Sequence, residues 1–107
     1  MRGRREGRDE QEQEPAVLLE ILFSAKCRAF WARITRSDDR ALGNHIEVSL
    51  YRRSEPDGST RQDAVEPDVK AAFTTLIVRS DPTDRLCATG ATLTDGTRVT
   101  AVEPICT

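Results

Sequence analysis

The histidine and the three cysteines are the residues of this chain whose types could do chemistry most directly. His45 begins a strand-like segment, and Asp38 and Asp39 precede it in a loop, so a general base with an acidic partner is one hypothesis. No nucleophile motif surrounds His45, and a base must first have the right geometry. We therefore expect its ring to make a backbone hydrogen bond at a turn or strand edge, and we predict no catalytic residue.

A metal site would need the histidine and the cysteines together. His45 with Cys27, Cys87 and Cys106 would supply one nitrogen and three sulfur ligands, but no two of them have the close spacing of structural zinc sites. We predict no metal site and no cofactor. An odd number of cysteines without close pairing does not indicate a disulfide framework, so we expect a cytoplasmic protein with Cys27 and Cys87 as small buried residues.

Charge is unevenly distributed along the chain. The 107 residues include 16 basic and 18 acidic side chains, a net charge of −2. Residues 26–53 nevertheless carry seven basic against three acidic residues, whereas residues 54–107 carry five against nine. A chain that is acidic overall does not have the uniformly basic surface typical of many nucleic-acid-binding proteins, but it contains one basic segment.

The basic segment contains the candidate binding residues. Residues 28–36 and 45–53 both alternate as strands do, with aromatic and basic side chains opposite the apolar side. The predicted binding residues are Trp31, Arg33, Tyr51, Arg53, Arg28 and Arg36. Tryptophan, tyrosine and arginine are enriched in protein interfaces, and the same residue types stack on and hold single-stranded nucleic acid.

Three functional hypotheses follow from these residues. The first is a small, non-enzymatic protein-interaction or regulatory module that self-associates through the Arg/Trp/Tyr sheet face, with a protein partner or a second copy bound there. The alternative is binding of RNA or single-stranded DNA through the basic hairpin 28–53. The third is an enzyme with a site around His45 and the acidic loops. No apolar run approaches the roughly 18 residues that cross a bilayer, so we expect no membrane partner.

Two helices and two hairpins are predicted to position these residues. Residues 15–26 match a helix because Leu18, Ile21, Leu22 and Ala25 recur at helical spacing after Pro15, with a strand over 15–24 as the alternative. Residues 66–79 match a second helix through apolar residues at helical spacing, which are Val69, Ala72, Phe73, Leu76 and Ile77.

The strand-like segments complete the predicted fold. Residues 28–36 and 45–53 are expected to pair antiparallel, and residues 86–94 and 97–104 to form a hairpin around Asp95-Gly96. The result is an α+β, two-layer domain with the order α-β-β-α-β-β. If residues 15–24 are a strand, the order β-β-β-α-β-β corresponds to a five-stranded OB-like barrel. Residues 1–14 are expected to be a disordered charged tail and residues 15–107 a single domain.

Overall fold

The chain folds into β-strands alone within the part that the structure describes. A computed structural model describes residues 8–13, 17–37, 40–79, 81–100 and 104–107. The strands in chain order are β1 (Arg8–Gln13), β2 (Val17–Ser24), β3 (Ala29–Arg36), β4 (His45–Arg52), β5 (Gln62–Pro67), β6 (Ala71–Phe73), β7 (Ile77–Val78), β8 (Leu86–Thr94), β9 (Thr97–Thr100) and β10 (Ile105–Cys106). They make two antiparallel sheets that pack face to face.

Each sheet has five strands. In sheet A the order is β1-β2-β3-β6, and β7 also pairs with β3. In sheet B the order is β10-β8-β4-β5, and β9 also pairs with β8. The predicted strands at 28–36 and 45–53 both exist, but β3 lies in sheet A and β4 in sheet B. The predicted pairing of these two segments is therefore wrong.

The core lies between the sheets and is built from alternate residues of each strand. Successive side chains of a strand point to opposite faces, so every second residue faces the other sheet. The buried apolar residues include Val17, Leu19, Ile21, Phe30, Ala32 and Ile34 from sheet A and Ile46, Val48, Leu50, Leu86, Ala88 and Ile105 from sheet B. The sheets approach each other closely at Gly90, where an added Cβ would lie 2.7 Å from the Ile34 side chain.

Arginine side chains connect the two sheets at both ends of the sandwich. At one end, Arg36 of β3 is 1% exposed and donates a hydrogen bond of 2.8 Å to the Thr94 hydroxyl of β8. At the opposite end, Arg52 of β4 donates to the Val78 carbonyl of β7 and pairs with Asp84. These contacts place polar groups at the rims and leave the middle of the sandwich apolar.

The predicted α+β fold is wrong, and so is the helix-containing OB-like alternative, because the described residues contain no helix. The predicted helix over 15–26 is the strand β2, so the alternative strand prediction for this segment is confirmed. Leu18 and Leu22 are apolar on the side of β2 that faces away from sheet B. A strand that is apolar on both sides loses the two-residue alternation that would have distinguished it from a helix.

The predicted helix over 66–79 is an interrupted edge strand. Phe73 pairs with Arg33 and Ile77 with Phe30, so three residues of this edge lie opposite two residues of β3. The extra residue is a β-bulge, and Thr74 continues the ladder by accepting the Ala32 amide hydrogen on its hydroxyl. The bulge shifts the buried positions along the chain and produces a spacing that resembles a helix.

Hairpin and tail predictions have different outcomes. The turn at Asp95-Gly96 is confirmed, and both residues have the positive φ angles that this two-residue turn requires. Residues 101–103 of the predicted final strand lie outside the described residues. Of the segment predicted to be a disordered tail, Arg8–Gln13 pairs with β2 as an edge strand, and residues 1–7 and 14 lie outside the described residues.

Candidate interaction surfaces

Trp31 and Arg33 lie on the side of sheet A that faces away from sheet B. Their neighbours Ala32 and Ile34 point into the core and are fully buried. Across the ladder, Trp31 pairs with Leu22 and Arg33 pairs with Glu20. The predicted orientation of the two candidate residues is therefore right, and strand alternation accounts for it.

This outer face of sheet A is mostly apolar. Side chains from three adjacent rows contribute to it, and they are Leu18 and Leu22 of β2, Trp31 of β3, and Phe73 and Val78 of the β6–β7 edge. Phe73 is 50% exposed and Val78 58% exposed, and the other three are half-buried. Solvent-facing sides of sheets are ordinarily polar, so a mostly apolar outer side is unusual and is a feature that interaction surfaces share. We call these five residues, with Glu20 and Arg33, the outer face.

The two charged residues of the outer face pair with each other. The Arg33 Nε donates a hydrogen bond of 2.6 Å to the Glu20 Oε1, and its Nη2 lies 2.5 Å from the same oxygen. The Glu20 side chain is fully buried, whereas that of Arg33 is 33% exposed. The Arg33 guanidinium also lies 5.9 Å from the centre of the Phe73 ring, a cation–π contact. The outer face therefore carries no net charge from these residues.

The bulged edge extends the apolar surface sideways. Leu76 lies in the three-residue connection between β6 and β7 and is 51% exposed, next to the exposed Phe73 and Val78. A bulge interrupts the ladder, so this edge is poorly suited to pairing with another strand. A partner would contact its side chains rather than extend the sheet.

Tyr51 and Arg53 lie elsewhere. Tyr51 is on the outer side of sheet B, where it pairs with Cys87 and the Arg61 guanidinium lies 5.2 Å from the centre of its ring. Arg53 follows the end of β4 and is exposed. Because Trp31 and Tyr51 lie on opposite outer sides of the sandwich, the predicted single Arg/Trp/Tyr face does not form.

The two remaining candidates differ in exposure. Arg28 is exposed in the turn between β2 and β3, where its φ of 51° is in the left-handed region. Arg36 is 1% exposed and points between the sheets, so it is not part of any surface. Sequence reasoning missed Glu20, Leu18, Leu22, Phe73 and Val78. Alternation along 17–24 as a strand would have indicated the first three.

The outer side of sheet B has a shallow polar groove of about 260 Å³. Here Asp63 accepts hydrogen bonds from Ser49 and Arg61, and Arg98 pairs with Glu47 at 2.9 Å. Burial raises the pKa of the Asp63 carboxyl, but these two hydrogen bonds and the Arg61 charge together lower the pKa from its ordinary value. The polar groups of the groove are thus paired with one another.

Of the cysteine predictions, the burial of Cys87 is confirmed, and the other two are wrong. Cys87 and Cys106 lie opposite each other on β8 and β10 and form a disulfide, and Cys27 is exposed rather than buried. His45 is exposed at the start of β4, and its proposed partners Asp38 and Asp39 lie outside the described residues. Among the described residues, no group of three metal-ligating side chains comes together, and no helix is long and apolar enough to cross a membrane.

Comparison with known proteins adds no relative, since no family model, curated protein or solved structure matches the chain.

Proposed function

We propose that this protein is a non-enzymatic interaction module that self-associates through the outer face of sheet A. The observation that carries the proposal is a continuous apolar surface around a neutralised Glu20–Arg33 pair. Burying such a surface removes apolar area from water without leaving an unpaired charge. The bound partner is a second copy of the chain.

Charge favours a second copy as the occupant, and area sets the strength of the contact. The charged residues of the outer face are one acid and one base, so a two-fold contact would bring each copy's acid towards the other's base without like-charge repulsion. At the usual strand spacing, the three rows of the outer face cover roughly 400 Å² per copy. Roughly 800 Å² over both copies is below the range of stable specific interfaces, so the expected dimer is weak and transient.

Sedimentation velocity over a range of concentrations tests this proposal. The wild-type chain should shift from monomer to dimer as concentration rises. Phe73→Asp should remain monomeric, because it places a like charge from each copy in the buried interface. Val65→Asp is the matched control, since Val65 is similarly exposed at 55% but lies on sheet B. It should dimerise as the wild type does.

Two outcomes would contradict self-association at this face. If the wild-type chain sediments as a monomer at every concentration, a second copy does not bind to the outer face. Equal loss of dimer in Phe73→Asp and Val65→Asp would place the contact elsewhere. Circular dichroism of both variants confirms that each remains folded before either result is interpreted.

The cellular compartment is also open to test. The predicted cytoplasmic location depended on unpaired cysteines, and the Cys87–Cys106 disulfide removes that basis. Disulfides persist mainly in oxidising compartments. Rapid alkylation of protein from cells would modify one cysteine if the disulfide is present there and three if it is reduced.

A further inference from the structure

Five arginines converge at the end of the sandwich opposite Arg36. They come from the β2–β3 turn, the end of β4, and the segments on either side of residues 81–84, and they are Arg28, Arg52, Arg53, Arg79 and Arg85. We call them the arginine end. In the sequence they are spread over 58 positions, so only the fold brings them together.

Hydrogen bonds link these arginines in a row from sheet A to sheet B. The Arg79 amide donates to the Arg28 carbonyl, and the Arg53 amide donates to the Arg85 carbonyl, each at 2.8 Å. Thr107 joins the two pairs, because its hydroxyl accepts from the Arg79 guanidinium at 3.2 Å and its carbonyl from that of Arg85 at 2.9 Å. These residues therefore lie side by side at one end of the sandwich, and the Arg79 and Arg85 guanidinium groups contact the same residue, Thr107.

Acidic side chains compensate only part of this charge. Arg52 pairs with Asp84, and Arg79 lies 4.5 Å from the centre of the Phe30 ring. Arg28 and Arg53 are exposed, and among the described residues neither side chain has an ion pair or hydrogen bond. Two guanidinium groups, one on each sheet, are thus available to an anionic ligand.

We infer that the arginine end binds the phosphodiester backbone of a single-stranded nucleic acid. The planar guanidinium donates two parallel hydrogen bonds to a phosphate or to a carboxylate, so the exposed arginines favour an anionic ligand. Arg28 precedes β3 of sheet A and Arg53 follows β4 of sheet B, so an extended anion that crosses this end can contact both. Phe23 is 40% exposed at this end and stacks on Phe30, so it offers a ring on which a base can stack. A single-stranded nucleic acid therefore fits this end better than an acidic polypeptide does, and such contacts are independent of base sequence.

Fluorescence anisotropy with labelled oligo(dT) tests this inference. Binding should be measurable at about 50 mM salt and should fall with a log–log slope of roughly −1.4 as salt rises to about 200 mM, because the two available arginines contact about two phosphates. Arg28→Ala/Arg53→Ala should weaken binding about tenfold. The control variant Arg40→Ala/Arg98→Ala also removes two positive charges, one at the opposite end of the sandwich and one on sheet B. It should bind the oligonucleotide as the wild type does.

Three results would overturn the inference. Absence of binding at about 50 mM salt removes the site. Equal weakening in the two double variants shows that net charge alone, and not the arginine end, attracts the oligonucleotide. Displacement of oligo(dT) by polyglutamate as effectively as by unlabelled oligo(dT) assigns the surface to acidic polypeptides instead. None of these readouts depends on dimerisation, so Phe73→Asp should retain binding.

Discussion

At the residue scale, the outer face depends on how the charge of Glu20 is compensated. A fully buried carboxylate must be compensated, because an isolated buried charge is costly. Arg33 supplies the opposite charge from the adjacent strand and at the same time covers Phe73. One side chain therefore pairs with the Glu20 charge and packs against the most exposed ring of the outer face.

Removing the arginine should therefore destabilise the fold. We expect Arg33→Leu to lower the free energy of unfolding by about 1–2 kcal/mol, since it leaves the Glu20 charge buried without this partner. The double variant Glu20→Leu/Arg33→Leu should recover most of that loss, because apolar residues commonly replace buried ion pairs at little cost. Urea unfolding measures both. Equal stability of the single and double variants would show that the pair has no such role.

At the element scale, burial pattern explains which predictions succeeded. Strand β3 and strand β4 alternate cleanly because only one side of each is strongly apolar, and both were predictable, as was the Asp95-Gly96 turn. Strand β2 is apolar on both sides, and the β6–β7 edge contains a bulge. Each of these features produces helical spacing without a helix, so sequence periodicity alone could not identify them.

Strand pairing was beyond reach for a different reason. Segments close in sequence usually pair, but β3 and β4 are joined by a loop that crosses from one sheet to the other. No short-range feature of the sequence predicts that a loop passes from one sheet to the other. Sequence reasoning could therefore orient Trp31 and Tyr51 on their own strands, but it could not show that their outer sides face in opposite directions.

The short strand β10 should depend on its disulfide. Only two residues of β10 pair with β8, yet Ile105 is buried in the core and Cys106 is bonded to Cys87 across 19 positions. Closing a loop of this length lowers the conformational entropy of the unfolded chain, which stabilises the folded state by about 3 kcal/mol. We expect Cys87→Ser/Cys106→Ser to lose about that much stability in urea unfolding. Cys27→Ser, which changes an exposed free thiol, is the control and should be unaffected.

A reductant gives an independent check on β10. Dithiothreitol should lower the stability of the wild-type chain towards that of the double serine variant and should leave the variant itself unchanged. If the wild type is as stable with reductant as without it, the disulfide does not hold β10 in place.

At the scale of the whole molecule, two separate surfaces replace the single one that the sequence predicts. The apolar outer face lies on one broad side of the sandwich, and the arginine end lies at one of its tips. Of the six predicted binding residues, two lie on the former, two on the latter, one on the outside of sheet B and one in the interior. Self-association and binding of a polyanion can therefore occur together.

Quenching of Trp31 fluorescence by acrylamide tests the central claim most directly. Trp31 is the only tryptophan, and it lies half-buried on the outer face. If two copies associate through this face, the quenching constant should fall as protein concentration rises, in step with the dimer fraction, and should not fall in Phe73→Asp. A quenching constant that stays the same while the sedimenting mass doubles would contradict the account, because it would show that the contact leaves Trp31 uncovered.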